Sequence, residues 1–168
     1  MTEEELYGAF EQMPLLEIIR TQDWLSGLVR RRFGRNLALI FTDIAGSTKY
    51  FSQFGDEAGR RLQQRHIDTM DEMLKKVDGR IVDTAGDGAF AVAPTAEAAA
   101  TVLIDVLNAV DLQNAKLDAA HRMHLRCGFH WGNVLTDGNV VTGDAVNFAA
   151  RVSASAKLDQ IRLTRSTF

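Results

Sequence analysis

The stretch LALIFTDIAGST, Leu37 to Thr48, constrains this chain more than any other. Leu37 to Thr42 are mostly apolar and short enough to be a buried strand, with Asp43 at its end just before the cluster Gly46-Ser47-Thr48. Tyr50 to Phe54 and Glu57 to Val77 then show helical periodicity, which makes Ser47 or Thr48 the N-cap. The N–H groups of Ile44, Ala45, Gly46, Ser47 and Thr48 would then point into one concavity of the kind that binds phosphate. A divalent cation between Asp43 and a polyphosphate would reconcile the carboxylate with that anion, since magnesium bridges carboxylates to substrate phosphates. By itself the pattern also fits a capped helix after a strand.

A second carboxylate strengthens the first reading. Ile81-Val82-Asp83-Thr84 and Ala89-Phe90-Ala91-Val92 are β-like runs joined by Ala85-Gly86-Asp87-Gly88, a tight hairpin with Asp87 at its tip. If this hairpin pairs with the first strand, Asp43 and Asp87 converge. Two carboxylates with no basic neighbour repel unless a metal lies between them.

At 168 residues, 46% hydrophobic and 24% charged, the chain suits one globular domain with a substantial core. A net charge of −3 argues against a general nucleic-acid binder, and the run Arg30-Arg31-Arg32 with Arg35 reads as solvated surface. Cys127 is the only cysteine, so no disulfide or zinc framework exists, and a reducing, cytoplasmic setting is expected. No segment reaches the length of a membrane span, and the acidic start MTEEE is unlike a signal peptide.

Residues 3 to 30 carry apolar positions at helical spacing, interrupted at Pro14 and Thr21/Asp23. They read as two short amphipathic helices packed on the domain, or else as a lid over the core, a dimer arm or the stump of a regulatory module. His66 reads as a helix-face residue, and an alanine-rich helix from about Ala96 to Leu117 has Thr95 as its cap. His124 to His130 alternates as HLRCGFH, and Val134-Leu135 and Val140-Val141 flank a turn at residues 136–139. A helix from Asp144 to about Lys157 and a strand from Ile161 to Thr164 complete the order. The expected fold is α+β, a ferredoxin-like βαββαβ core with a β-α-β extension. An N-terminal helical segment covers residues 1–35 and a catalytic domain residues 36–168.

FTDIAGST, TAGDGAFA, GFHWGNV and GDAVNFAAR, in this order, resemble the catalytic domain of class III nucleotidyl cyclases, and the resemblance covers residues 37 to 164. It implies that Asp43, Asp87 and the Ile44 carbonyl hold two divalent cations, Mg2+ or Mn2+, and that the turn from Ile44 to Thr48 holds a nucleoside triphosphate. It further implies that Asn147 and Arg151 position the ribose and stabilise the reacting phosphate. Their i, i+4 spacing independently puts both on one helix face. The implied product is a 3′,5′-cyclic nucleotide, and the implied assembly is a homodimer whose sites combine the aspartates of one subunit with the Asn/Arg pair of the other.

Two positions depart from the family. Purine-converting members carry lysine four residues before the second aspartate and an acid or threonine seven before the asparagine; here these are Asp83 and Val140. An ionised aspartate accepts but cannot donate, so Asp83 suits an N–H or amino group of uracil or cytosine, although the adenine amino group would also serve. Tyr50 and Trp131 would narrow a base pocket, or else serve as core or interface aromatics. The chain is thus also similar to the bacterial pyrimidine cyclases of Pycsar anti-phage defence, whose cyclic product acts on a separate receptor. Adenylate cyclase activity with unusual base reading is the rival, and a catalytically inactive regulatory module is the rival from another class. Many relatives continue with strands that carry a phosphate-binding lysine. Either such strands follow, or Arg162 or Arg165 replaces it.

Overall fold

The apolar run at Leu37 becomes the central strand of a six-stranded sheet in a computed structural model that describes residues 2–165. The chain divides into two units, Met1–Gly34 and Arg35–Phe168. In the first, α1 (Glu3–Glu11) starts at a capping box, with Glu5 N–H donating to Thr2 Oγ1 and Thr2 N–H to Glu5 Oε2. Pro14 starts α2 (Leu15–Phe33), which runs through Thr21 and Asp23 without a break. Neither helix has a buried residue.

The second unit runs β1 (Gly34–Ile44), α3 (Ser47–Lys75), β2 (Arg80–Ala85), β3 (Gly88–Ala93), α4 (Ala96–Asn114), β4 (Leu125–Thr136), β5 (Val141–Thr142), α5 (Asp144–Ala154) and β6 (Gln160–Leu163). The strands lie in the order β2-β3-β1-β4-β5, with β6 parallel to β4. This is the α+β architecture expected of the sequence.

Alternation along β1 explains why its sequence is nearly continuous in apolar residues. Ala38, Ile40 and Ile44 face a core built with Leu62, Met70 and Leu74 of α3, Val102, Leu103 and Val106 of α4, and Leu125, Cys127 and Phe129 of β4. Leu39 faces the other way, into a smaller cluster with Val134, Val141 and Ala149 of α5, joined by Phe41 and Phe90. A sheet covered on both faces leaves no polar side to its central strand.

Two elements differ from the sequence reading. β4 is one strand from Leu125 to Thr136, because Gly128 and Gly132, which interrupt its pattern, are where α5 lies against it. A Cβ on Gly128 would meet the Ser153 main chain, and one on Gly132 the Cβ of Ala145. The N-cap of α3 is Gly46, whose φ of 74° needs glycine, while Ser47 lies inside the helix and uses its hydroxyl elsewhere.

Candidate active site

Antiparallel pairing sets Asp43 opposite Gly88, so the neighbouring Asp87 falls beside the end of β1. The two-residue turn that presents Asp87 depends on Gly86, at φ 60°. Ser47 Oγ donates to Asp87 Oδ2, tying the start of α3 to the turn.

Asp43 has a basic neighbour, which corrects the expectation that it has none. Arg126 donates to Asp43 Oδ2 from Nη2 at 2.6 Å and from Nε at 3.1 Å. Since Leu125 and Cys127 face the α3/α4 core, alternation turns Arg126 to the opposite face, that of Asp43. The HLRCGFH pattern held this signal, but using it required knowing that β4 lies beside β1. The phosphate-binding turn is also smaller than expected. Ala45 N–H donates to the carbonyl of His124 at 2.8 Å, which leaves the N–H groups of Gly46, Ser47 and Thr48 at the helix start.

Beside these groups lies a pocket of about 470 Å³ lined by Asp43, Asp83, Arg126 and Asn147, among others. Its floor is a stacked ring pair, Phe41 and Phe90, with centroids 4.6 Å apart and planes 9° from parallel. Asp83 reaches the pocket because of a β-bulge. The pairing runs from Ile81 opposite Ala91 to Asp83 opposite Phe90, with Val82 as the extra residue. Without the bulge, strict alternation would turn Asp83 to the side of Ile81, toward the α3/α4 core. The other wall is α5, seated by Ser153 Oγ donating to the Phe41 carbonyl at 3.0 Å.

Asn147 stands on the pocket edge of α5, in the same chain as Asp43. Arg151 lies outside the lining, exposed, with its guanidinium 5.7 Å from the Phe148 ring centroid. Val140 is not drawn in either: it is 59% exposed in the loop before β5, with its N–H on Asp137 Oδ1. Tyr50 packs on the opposite side of the sheet, its hydroxyl 2.9 Å from His121 Nδ1, and Trp131 packs on the same core; neither narrows this pocket. Arg162 donates to the Ser155 carbonyl at 2.7 Å, at the end of α5, and Arg165 is exposed. Ile44 is buried in the core, which anchors the chain where its carbonyl is expected to act.

Burial governs the titration of the groups behind the site. The His66 imidazole, fully buried, is held down to about 4 by desolvation, against the opposing pull of the Asp87 main chain and carboxylate. The same cause pushes the Cys127 thiol up to about 12, with the Asp43 charge adding to it, so Cys127 is a core residue and not a nucleophile. Burial also lowers His130, which packs edge-on against Phe148.

Fold and site together define a ferredoxin-like α+β domain with paired carboxylates at a strand end and, beside them, a largely apolar pocket into which a few polar side chains reach. A family profile described as "Adenylate and Guanylate cyclase catalytic domain" matches residues 30–168, and the chain belongs to that family. Among curated relatives, an adenylate cyclase of Lachancea kluyveri is 32% identical over 152 residues, covering 77% of this chain and 8% of its own length. An adenylate cyclase of Podospora anserina is 29% identical, covering 76% of this chain and 7% of its own. The chain thus spans a small part of these relatives. Among solved structures, the monomeric guanylyl cyclase domain of the RhoGC fusion protein of Blastocladiella emersonii superposes with a TM-score of 0.72 at 20% identity, covering 80% of this chain and 85% of that one, a likeness of fold. The adenylate/guanylate cyclase/hydrolase of Silicibacter pomeroyi gives 0.71 at 25% identity, covering 80% and 78%.

The donor set fits divalent cations of the magnesium type. Ser47 and Arg126 engage only Oδ2 of Asp87 and Asp43, which leaves Oδ1 of each carboxylate for a cation. Among the described residues no group of three or more His, Cys, Asp or Glu gathers. Magnesium is typically bound by one or two carboxylates with substrate phosphates completing its shell. Also among the described residues, no helix is long and apolar enough to cross a membrane.

Proposed function

We propose that this domain converts a nucleoside triphosphate, preferentially uridine or cytidine triphosphate, to its 3′,5′-cyclic monophosphate and pyrophosphate. The 3′-oxygen attacks the α-phosphorus of the same molecule; the new P–O bond forms as the bond to the β-phosphate breaks, and the hydroxyl proton leaves to water. Asp43, Asp87 and the Ile44 carbonyl would hold two divalent cations. When bound, these lower the pKa of the attacking hydroxyl and neutralise phosphate charge. The N–H groups of Gly46, Ser47 and Thr48 take phosphate oxygens at a helix start. Arg126, which lines the same pocket and holds Asp43 Oδ2, would supply positive charge toward the phosphates, a role expected of lysine in many relatives. Asn147 orients the ribose. Arg151, held over Phe148, meets charge on the transferred phosphoryl, where an arginine is worth roughly 10³-fold or more in related chemistry.

The observation that carries the base preference is the bulge that aims Asp83 into the pocket. A carboxylate there accepts from an N–H or amino group and leaves adenine N1 without a donor. An unmet buried polar atom costs about 1–3 kcal/mol, or roughly ten- to a hundredfold in selectivity. The active species is a homodimer in which Asn147 and Arg151 serve the partner's site, working in the cytoplasm, with a cyclic pyrimidine signal in anti-phage defence as its output and a separate receptor downstream. The second reading, adenosine triphosphate, is favoured by the names of the curated relatives, which include adenylate cyclases. It requires Asp83 to accept from the adenine amino group.

The test is incubation with each of the four triphosphates and Mn2+, with products identified by mass spectrometry. Higher kcat/KM for uridine or cytidine triphosphate supports the pyrimidine reading, and higher kcat/KM for adenosine triphosphate selects the second. No cyclic product from any of the four supports an inactive module.

A further inference from the structure

His66 lies behind Thr42, a residue of the pocket lining, next to the strand end that carries Asp43. It lies on α3 in a buried stripe with Leu62 and Met70, and its side chain is completely buried. One ring nitrogen, Nε2, is 2.9 Å from Oγ1 of Thr42, itself 2% exposed and directly before Asp43 on β1. The same ring feels the main chain of Asp87. Its other nitrogen, Nδ1, is buried without a partner at hydrogen-bond distance.

A neutral imidazole has one donor and one acceptor. With Nε2 accepting from the Thr42 hydroxyl, Nδ1 carries the proton and lacks an acceptor at hydrogen-bond distance, and the Asp87 main chain is the group whose pull the ring feels. We infer that His66 is a positioning residue: it links the Asp43 end of β1 to the Asp87 turn and so sets how far apart the two carboxylates stand. The inference rests on the two-cation reading of the site. A core histidine satisfied by Thr42 alone would have no reason to affect cation binding. Partners that orient metal-ligating groups from behind are worth roughly 10- to 100-fold in metal affinity or activity.

The test uses the full chain and Mn2+ alone, with free Mn2+ followed by electron paramagnetic resonance and melting temperature measured without metal. His66→Met fills the volume with an adaptable apolar chain and removes both polar contacts. Mn2+ binding should weaken tenfold or more in this variant, and by less in His66→Gln, whose amide can reach the Nε2 position and keep the Thr42 contact. Thr42→Val should weaken binding too, and the Thr42→Val/His66→Met double variant should be no worse than His66→Met, because both act through one link. If His66→Met does not fold, His66→Gln and Thr42→Val carry the comparison. Unchanged Mn2+ affinity in the folded variants, losses that only track melting temperature, or additive losses in the double variant would overturn the inference. A wild-type protein that binds no Mn2+ would instead remove the two-cation reading beneath it.

Discussion

Replacing Gly128 with alanine tests whether the seat of α5 controls catalysis. The added Cβ would lie 2.6 Å from the Cα and the nitrogen of Ser153 and 3.1 Å from its Cβ. Carbon atoms in contact sit about 3.5–4.0 Å apart, so strand and helix must separate by roughly 1 Å. Ser153 cannot yield freely, because its hydroxyl is bonded to the Phe41 carbonyl of β1. Overpacking of this kind costs about 1–3 kcal/mol, which corresponds to a fall in urea midpoint of about 1 M. The catalytic loss should be of similar size, since Asn147 and Arg151 ride on α5 and a 1 Å misplacement can cost about 10²-fold. Mn2+ affinity should stay near wild type, because Asp43 and Asp87 belong to β1 and the β2–β3 turn. Urea denaturation, kcat/KM and Mn2+ titration read the three quantities separately. Trimming the neighbour with Ser153→Gly should not rescue the variant, since the clash is with main chain. A Gly128→Ala protein with stability and kcat/KM within threefold of wild type would refute the reasoning.

Three further outcomes are expected. Asp43→Asn and Asp87→Asn should each reduce cyclic-nucleotide formation below a tenth of wild type. Asp43→Asn loses only a partly exposed ion pair with Arg126, worth at most about 1 kcal/mol, so its melting curve should barely move. Mixing Asp43→Asn protein with Arg151→Ala protein should restore activity, because one site of the mixed dimer keeps every group; no recovery despite demonstrated subunit exchange would mean that each chain builds its own site. His66 is neutral in the fold down to about pH 4, whereas in the unfolded chain it takes up a proton near 6.5. Its contribution is therefore complete above pH 6.5, declines as pH falls toward 4 and is flat below, with a span of up to about 3 kcal/mol. Chemical denaturation at pH 7 and pH 4.5 should show this loss in wild type and a smaller one in His66→Met.

Much of the site could be read from residue order because it depends on local features. A strand with both faces apolar, an aspartate at its end, and a Gly-Asp turn between two β-like runs together require Asp43 and Asp87 to meet once the hairpin pairs with that strand. What stayed hidden depends on contacts between distant parts of the chain. Arg126 could be matched to Asp43 only with β4 known to neighbour β1. The Ala45 N–H looked available for phosphate until the His124 carbonyl was seen to hold it. The bulge at Val82 leaves no trace in composition, yet it decides which side of the sheet Asp83 faces. Val140 and Tyr50, placed at the base through resemblance, lie away from this pocket.

The glycine within α3 divides what looks like one rod. Gly55, at φ 83° and ψ 170°, is not helical, and the Phe51 ring fills the space where Gly59 has no side chain. Ser47 to Phe54 therefore form a short separate barrel-stave at the site, clamped by one ring to a longer one. The amides just beyond the break lose their helical partners. In deuterium exchange, residues 56–58 should appear as a fast seam between two slower segments. Motion of the Ser47 end during turnover would be absorbed at that seam, leaving the Leu62-to-Leu74 face on the core undisturbed.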